Sequence, residues 1–165
     1  MIVIALGANL ESHVGPPAKT IAAALDALAL HGVKIMAVSS LYVTPAWPDP
    51  SDPPFDNAVS LVDTTHAPEG LMGVLHEIES RFGRTRGEKN APRTLDLDLI
   101  DYDGRIEAGP PTLPHPRMAE RAFVLIPLAD VAPAWRHPVS GHSVAELIAA
   151  LPEESRAGIA RRESA

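Results

Sequence analysis

The sequence predicts an α+β fold with an antiparallel sheet. Four short apolar or β-branched segments are typical of strands, and two longer segments repeat apolar residues with the period of a helix. Their order is strand, helix, strand, strand, helix, strand, which is the ferredoxin-like split βαβ order (βαββαβ). Crossover connections in this order put both helices on one face of the sheet and leave loops at one end to build a site.

The first part of the chain supplies two strands, a helix and a loop. Residues 2–6 are a short apolar run and predict a buried strand. Residues 18–32 predict a helix, because apolar residues recur at helical spacing and a glycine closes the segment. Residues 33–43 are rich in β-branched side chains and predict one second strand. Five of the eleven positions in residues 44–54 are proline, which predicts a stiff exposed loop.

The second part completes the split βαβ pattern. Residues 57–64 alternate apolar and polar side chains and predict the third strand. Residues 67–83 share one apolar helical face and end on a glycine, so they predict the second helix. A basic loop then leads to residues 95–100, "LDLDLI", whose alternation predicts the fourth strand.

Further helices follow this core. Residues 121–129 predict one, and Ser143 with Glu146 has capping-box spacing before another. A chain of 165 residues suits one domain, which we assign to residues 1–152. Residues 153–165 are polar with few apolar anchors, so we expect this C-terminal tail to fray.

Composition and charge exclude several classes of function. A formal net charge of -7 argues against nucleic-acid binding, which needs a basic surface. The opening apolar run is too short to cross a bilayer or to act as a signal peptide, so we expect no membrane partner and a cytoplasmic address. The chain has no cysteine, which excludes thiolate metal sites and suits a reducing compartment. We also expect a monomer.

Two aspartates interrupt the apolar pattern of the fourth strand. Asp96 and Asp98 alternate with Leu95, Leu97 and Leu99, so both carboxylates share one face. Residues at i and i+2 of a strand lie roughly 6.5 to 7 Å apart, and their carboxylates can therefore converge on one or two hard cations. An edge strand that shows charge to solvent is an equally good explanation at this point, since such charges discourage edge pairing.

Basic residues cluster just before that strand. They are Arg81, Arg84, Arg86, Lys89 and Arg93. On an acidic chain this cluster suggests a small polyanion, because guanidinium groups match phosphate oxygens. A solvated helix end and loop is the alternative.

The remaining motifs favour phosphoryl transfer. The sequence has neither a P-loop nor a G-x-G-x-x-G pattern, and no serine lies in a G-x-S-x-G setting. His76 lacks a second pair that would complete a zinc site, so we interpret it as structural or exposed. What remains is an acidic pair suited to magnesium and basic residues suited to phosphate, with His115 and Arg121 further along the chain.

The stretch "APRTLDLDLIDYDG", residues 91–104, closely resembles the Pro-Arg-Thr-Leu-Asp-Leu-Asp signature of the 6-hydroxymethyl-7,8-dihydropterin pyrophosphokinases, a family of folate biosynthesis. Further stretches resemble the family in the same order: "ALGANL", "SSLYVTPAW", "FDNAV", "IESRFGRTR" and "LPHPRMAERAFVLIPLADVAP". The resemblance covers residues 2–152. It implies a ferredoxin-like fold, which agrees with the order of elements.

The resemblance also implies a reaction, the transfer of pyrophosphate from ATP to the hydroxymethyl group of the pterin with release of AMP. Asp96 and Asp98 would hold two Mg²⁺ ions that bridge the triphosphate, and Asp98 is a candidate for polarising the hydroxyl group. Arg84 and Arg93 would be catalytic residues together with these aspartates. Residues that match ATP-binding positions of the family are Glu79, Arg84, Arg86, Arg93, His115 and Arg121.

For the pterin, the resemblance implies a stacked pocket. Phe55 and Phe123 match aromatic residues that sandwich the ring, and such stacking adds roughly 0.5 to 1.5 kcal/mol beyond burial. Core packing is the alternative for Phe123. Asn57 would recognise the ring edge through its amide, with Thr44 and Pro45 adding backbone groups.

A few positions depart from the family pattern or leave other functions open. Asn9 matches a position that lines the pterin cleft, but Lys89, Asn90 and Ala91 stand where the family has Arg-Trp-Gly in a lid loop. Phe55 stands where a tyrosine is common. The alternatives are another magnesium-dependent phosphotransferase or nucleotidyltransferase and, outside enzymes, a ferredoxin-like module that binds a small molecule without metal.

Overall fold

One antiparallel sheet organises the described chain. The computed structural model describes residues 1–46, 49–83 and 94–163. Its strands are β1 (Ile2–Ala8), β2 (Val33–Val38), β3 (Tyr42–Thr44), β4 (Phe55–Thr64), β5 (Asp96–Tyr102) and β6 (Ala160–Arg161). Its helices are α1 (Pro17–Leu30), α2 (Pro68–Arg81), α3 (Ala122–Val131), α4 (Val144–Ala150) and α5 (Glu153–Ala157), with one turn of 3₁₀ helix at Met118–Glu120. Within these described stretches, no helix is long and apolar enough to cross a membrane.

The strand order is β5-β1-β4-β3-β6, and β2 pairs with the other half of β4. β1 is central, because it pairs with β4 on one side and β5 on the other. The ten-residue β4 is long enough to hold β3 along its first half and β2 along its second. The predicted antiparallel α+β fold is confirmed.

Helices cover both faces of this sheet. Ile4 and Leu6 of β1 pack with Leu28 of α1 and Leu75 of α2 in one cluster of buried side chains. Val3 and Ala5, which point the other way, belong to a second cluster that includes Leu125 and Leu128 of α3. The two crossover helices therefore share one face, as predicted, and the C-terminal helices form the opposite layer.

Helix ends follow the chemistry of the sequence. Gly32 and Gly83 adopt φ of 79° and 81° just beyond α1 and α2, a conformation in which glycine has no Cβ penalty. Ser143 caps α4: its hydroxyl accepts the Glu146 N–H at 3.1 Å, and the Glu146 carboxylate accepts the Ser143 N–H. The predicted capping box is confirmed.

The predicted single strand over residues 33–43 is wrong, because the structure has two strands there. A register shift lies between Ile35 and Ala37, and Ser39 separates β2 from β3. The Ser39 hydroxyl accepts the Val59 N–H at 2.9 Å, while the Ser39 N–H donates to the Val59 carbonyl at 2.9 Å. The Ser39 hydroxyl thus accepts a hydrogen bond that a backbone carbonyl would accept in a regular ladder. The chain can therefore bend between β2 and β3 while it stays hydrogen-bonded to β4.

The C-terminal tail also differs from our expectation. We expected residues 153–165 to fray, but residues 153–157 form α5 and residues 160–161 form β6, which pairs antiparallel with β3. Two ion pairs, Arg161 with Asp130 and Arg162 with Asp56, hold the tail, and Ile159 packs against the core on the α3 face. The number of apolar residues alone therefore underestimates how well such a segment is held.

Candidate active site

A cavity of about 470 Å³ opens over the sheet face that carries α3. Its floor comes from β1, β4 and β5, and its sides come from β3, the start of α3 and the C-terminal tail. Its size falls within the range of small-molecule sites. Pro45 and Ala46, at the start of the proline-rich loop, line this cavity.

Strand register places the site residues in a row across the sheet. Asp96 of β5 lies opposite Gly7 of β1, Gly7 lies opposite Asn57 of β4, and Asn57 lies opposite Tyr42 of β3. Neighbouring strands are about 4.8 Å apart, so the backbones at Asp96 and Asn57 are separated by about 10 Å. The cavity therefore has an acidic end at β5 and an amide and aromatic end at β4.

The acidic end is built by Asp96 and Asp98. Both line the cavity, whereas Leu97 and Leu99 point into the core beneath α1 and α2. Nη1 of Arg121, the residue that precedes α3, lies 3.6 Å from Oδ2 of Asp98 and forms an ion pair with it. β5 is also an edge strand of the sheet, so the edge explanation describes its position correctly, but the two carboxylates point into a pocket.

Alternation in β5 is reset after these aspartates. The register with β1 shifts so that Ile4 lies opposite Leu99 and Val3 lies opposite Asp101, which leaves Ile100 as the extra residue. Asp101 therefore reaches the α3 layer, where its buried carboxylate accepts the Trp135 indole N–H at 2.9 Å. Asp101 is a structural carboxylate and does not line the cavity.

His115 lies behind the acidic end. Its backbone N–H donates to the Ile100 carbonyl at 2.8 Å, and its Nδ1 accepts the Arg117 N–H at 3.1 Å. The pKa of His115 is lowered to about 4, chiefly by burial; the charges of Arg121 and Arg117 act in the same direction, and Asp96 opposes them. The imidazole is thus neutral near pH 7, with its proton on Nε2.

The opposite end presents one amide and two aromatic rings. The Asn57 side-chain N–H donates to the buried Thr44 hydroxyl at 2.8 Å, which fixes the orientation of the amide. Phe55 and Phe123 line the same cavity, and 37% of Phe123 is exposed. Phe123 is therefore available to a ligand and is not core packing. The guanidinium carbon of Arg121 lies 5.5 Å from the Phe123 ring centroid and joins the two ends of the site.

Some predicted residues lie outside the cavity. Glu79 is buried in α2, and its carboxylate accepts the Leu97 N–H at 2.9 Å. It therefore supports β5 from the sheet face that carries α1 and α2. Asn9 is buried and donates to the Pro53 carbonyl at 3.1 Å, within the proline-rich loop. His76 is on the exposed side of α2.

The basic loop before β5, residues 84–93, lies outside the described residues. It includes Arg84, Arg86 and Arg93, together with the lid positions Lys89 and Asn90. Their predicted roles stay predictions.

The structure adds residues that the sequence did not indicate. Arg117 and Glu120 line the cavity beside α3, and Gly7 forms its floor. From the tail come Glu154, Ser155, Gly158 and Ile159. Only the family stretch "LPHPRMAE" carried a signal for Arg117 and Glu120, and no motif pointed to the tail.

The donor set of the acidic end suits magnesium. Magnesium commonly takes one or two protein carboxylates and completes its shell with water and substrate phosphates. Among the described cavity-lining side chains, carboxylates outnumber guanidinium groups, so a polyphosphate would meet repulsion there without a cation. These carboxylates are Asp96, Asp98, Glu120 and Glu154, and the guanidinium groups are Arg117 and Arg121. The described ranges contain no group of three or more histidine, aspartate or glutamate side chains placed to hold a metal.

The chain is similar to known proteins over most of its length. The model of the 7,8-dihydro-6-hydroxymethylpterin-pyrophosphokinase family matches residues 3–133. A 2-amino-4-hydroxy-6-hydroxymethyldihydropteridine pyrophosphokinase of Pseudomonas aeruginosa is 41% identical over 155 residues, which cover 93% of each chain. The protein of the same name from Synechocystis is 41% identical over 148 residues, covering 88% of this chain and 73% of the relative.

Solved structures share the fold. Wild-type HPPK-DHPS of Plasmodium falciparum superposes with a TM-score of 0.67 at 15% identity and covers 90% of this chain. This chain spans 40% of that protein. The family match extends over more than half of the chain and includes both the acidic strand and the start of α3. The chain therefore belongs to the 7,8-dihydro-6-hydroxymethylpterin-pyrophosphokinase family.

Proposed function

We propose that this chain transfers the pyrophosphoryl group of ATP to the hydroxymethyl oxygen of 6-hydroxymethyl-7,8-dihydropterin and releases AMP, a step of folate biosynthesis. The observation that carries the proposal is the row of residues on one sheet face, with a carboxylate pair at one end and an amide at the other, beside two aromatic rings that line the same cavity. The family membership and its named relatives support the same reaction.

The acidic end takes the triphosphate. Asp96 and Asp98 are the ligands for magnesium, which we propose binds as two ions and supplies charge neutralisation and alignment of the phosphates. Arg121 contributes a guanidinium beside Asp98. The neutral His115 donates from Nε2 to a phosphate oxygen.

The basic loop completes the triphosphate site in this proposal. Arg84, Arg86 and Arg93 bind phosphate oxygens, and Arg84 and Arg93 stabilise the charge that develops during transfer. These roles rest on the resemblance of the signature stretch. Glu79 acts indirectly, because its carboxylate holds the Leu97 N–H between the two aspartates.

The acceptor lies over β4. The pterin ring stacks between Phe55 and Phe123, and the Asn57 amide meets its donor and acceptor edge while Thr44 holds that amide in place. The hydroxymethyl oxygen then points along the row towards β5. It forms a bond to the β-phosphorus as the bond from that phosphorus to the α,β-bridging oxygen breaks; the hydroxyl proton is released, and AMP leaves. Alignment of the two ends supplies much of the rate enhancement.

The remaining features of the proposal are a monomer and a cytoplasmic address. Consumption of ATP suits the cytoplasm, and sedimentation analysis would measure the number of copies.

Product analysis tests the reaction directly. Purified protein is incubated with ATP, magnesium and the pterin, and nucleotides are separated by chromatography. We expect AMP only when the pterin is present, in equal amount to the pyrophosphorylated pterin. Release of ADP or of free pyrophosphate would instead assign another phosphotransferase or a nucleotidyltransferase. Folded protein that binds the pterin without any turnover would be a ligand-binding module.

Variants of the acidic pair test the metal assignment. We expect Asp96→Asn and Asp98→Asn to lose nearly all turnover with unchanged thermal unfolding, because both side chains face the cavity and not the core. Asp63→Asn is the matched control, since Asp63 is an exposed aspartate on β4. Retained activity in either cavity variant would refute the assignment.

A further inference from the structure

The C-terminal tail forms a wall of the cavity at its acceptor end. Ser155, Gly158 and Ile159 line the cavity together with Pro45. A Cβ atom added to Gly158 would lie 3.0 and 3.1 Å from the Cγ and Cδ atoms of Pro45, so the Gly158 backbone lies close to the Pro45 ring. φ of Gly158 is -85°, which any residue adopts, and the close approach is therefore what favours glycine there.

Two consecutive arginines fasten this wall to the sheet. β6 pairs with β3, Arg161 lies opposite Tyr42, and the Arg162 N–H donates to the Leu41 carbonyl at 2.8 Å. Because successive residues of a strand point to opposite faces, the side chains of Arg161 and Arg162 make their contacts on opposite faces of the sheet.

On the cavity face, Arg161 joins a polar cluster with Tyr42 and Asp130. Its guanidinium donates to the Tyr42 hydroxyl and to Asp130 at 3.2 Å each, and the Tyr42 hydroxyl donates to Asp130 at 2.8 Å. The cluster connects the tail to β3 and α3 at once.

On the other face, Arg162 pairs with Asp56. The Nη2 and Nε atoms of Arg162 both donate to Oδ1 of Asp56, with Nε at 3.2 Å. Only 3% of Asp56 is exposed, so this ion pair is largely removed from solvent on the carboxylate side. Asp56 lies between Phe55 and Asn57 on β4, and its pairing therefore couples the tail to the two residues proposed to hold the pterin.

We propose that residues 153–162 position the acceptor: the Arg162–Asp56 ion pair fixes the wall formed by Ser155, Gly158 and Ile159 against Pro45, and this wall sets the fit of the heterocycle. The inference rests on the proposed function. Arg162 is a positioning residue, since it acts through Asp56 and the wall. The ATP end is built by β5 and α3 and is independent of this pair.

Steady-state kinetics of Arg162→Ala and Arg162→Lys test the inference. For Arg162→Ala we expect KM for the pterin to rise about fivefold or more while KM for ATP stays within about twofold. Arg162→Lys should recover part of the loss, because it restores a cation beside Asp56. Arg136→Ala is the matched control, since Arg136 pairs with Glu146 at 3.7 Å far from the cavity and should leave both KM values unchanged.

Gly158→Ala provides a second readout that does not remove an ion pair. The added methyl group presses on Pro45 and should also raise KM for the pterin selectively; it decides the question if Arg162→Ala fails to fold. An unchanged KM for the pterin, or an equal rise in both KM values, would overturn the inference. The wild-type product assay separates the two claims: without acceptor-dependent AMP the proposed function itself fails, whereas AMP with unchanged variant kinetics removes only the role of the tail.

Discussion

Gly7 makes room for the Asn57 amide, which we propose recognises the acceptor. A Cβ atom at this position would lie 3.0 Å from Oδ1 of Asn57, whose orientation is already fixed by the hydrogen bond to Thr44. We therefore expect Gly7→Ala to displace the amide and to weaken pterin binding about tenfold or more, because small misplacements in a site are costly. Calorimetric titration of the variant measures this change.

A second glycine provides the control for that variant. Gly73 lies in α2, and a Cβ atom there would meet nothing within 4 Å. Gly73→Ala should keep the pterin affinity and stabilise the fold by about 0.5 to 1 kcal/mol. Pterin binding by Gly7→Ala that equals the wild type would show that the amide does not contact the ligand.

His115 gives a pH-dependent signature. Because burial lowers its pKa to about 4, nitrogen NMR should show a neutral ring with the proton on Nε2 at pH 7 and protonation only near pH 4. Between about pH 6.5 and pH 4 the unfolded chain binds a proton that the folded chain does not, so the free energy of unfolding falls as the pH falls through this window.

The variant His115→Asn isolates this contribution. Its amide oxygen replaces Nδ1 as acceptor for the Arg117 N–H but does not titrate. Its free energy of unfolding should depend less on pH between 6.5 and 4 than that of the wild type. A measured pKa near 6.5 would contradict the buried environment of the ring.

Residues that interrupt a pattern were accessible from the sequence. Asp96 and Asp98 stand out because they alternate with buried leucines, and the structure places both in the cavity. Gly7 and Gly158 were not accessible, since their role depends on atoms of Asn57 and Pro45 that are distant in the chain.

At the level of elements, α4 offers a test of local coding. Ser143→Ala removes the hydroxyl that accepts the Glu146 N–H, and we expect a loss of about 0.5 to 2 kcal/mol in the free energy of unfolding. Urea titration measures the loss. Ser80→Ala, an exposed change within α2, should be neutral or slightly stabilising. Equal stability of the Ser143 variant and the wild type would mean that the capping box does not stabilise α4.

Period and caps predicted α1 to α4, but neither α5 nor every feature of the strands. The break between β2 and β3 depends on the Ser39 hydroxyl bonding to Val59 across the sheet, and the reset of β5 depends on its register with β1. Both arise from pairing between distant segments. β6 escaped prediction for the same reason, because its partners Tyr42 and Asp56 lie in other strands.

At the scale of the whole molecule, the two helical layers have different roles. One layer, formed by α1 and α2, packs on the sheet through buried apolar side chains, and the opposite layer leaves the cavity beside the start of α3. The order of elements predicted the first layer. The second layer and its cavity depend on where the C-terminal helices pack, which no period in the sequence specifies.

We propose that the cavity is divided into a metal-triphosphate end and an acceptor end, and paired titrations of Asp96→Asn and Phe55→Ala measure this division. A non-hydrolysable ATP analogue is titrated with and without magnesium, and the pterin is titrated with that analogue at saturation. Asp96→Asn should lose most of the magnesium-dependent gain in analogue affinity. Phe55→Ala should keep that gain and bind the pterin about tenfold more weakly, a change of about 1.4 kcal/mol. If both variants lost affinity equally for both ligands, or if Asp96→Asn weakened only pterin binding and Phe55→Ala only the magnesium-dependent binding of the analogue, the two ends would not have these separate roles.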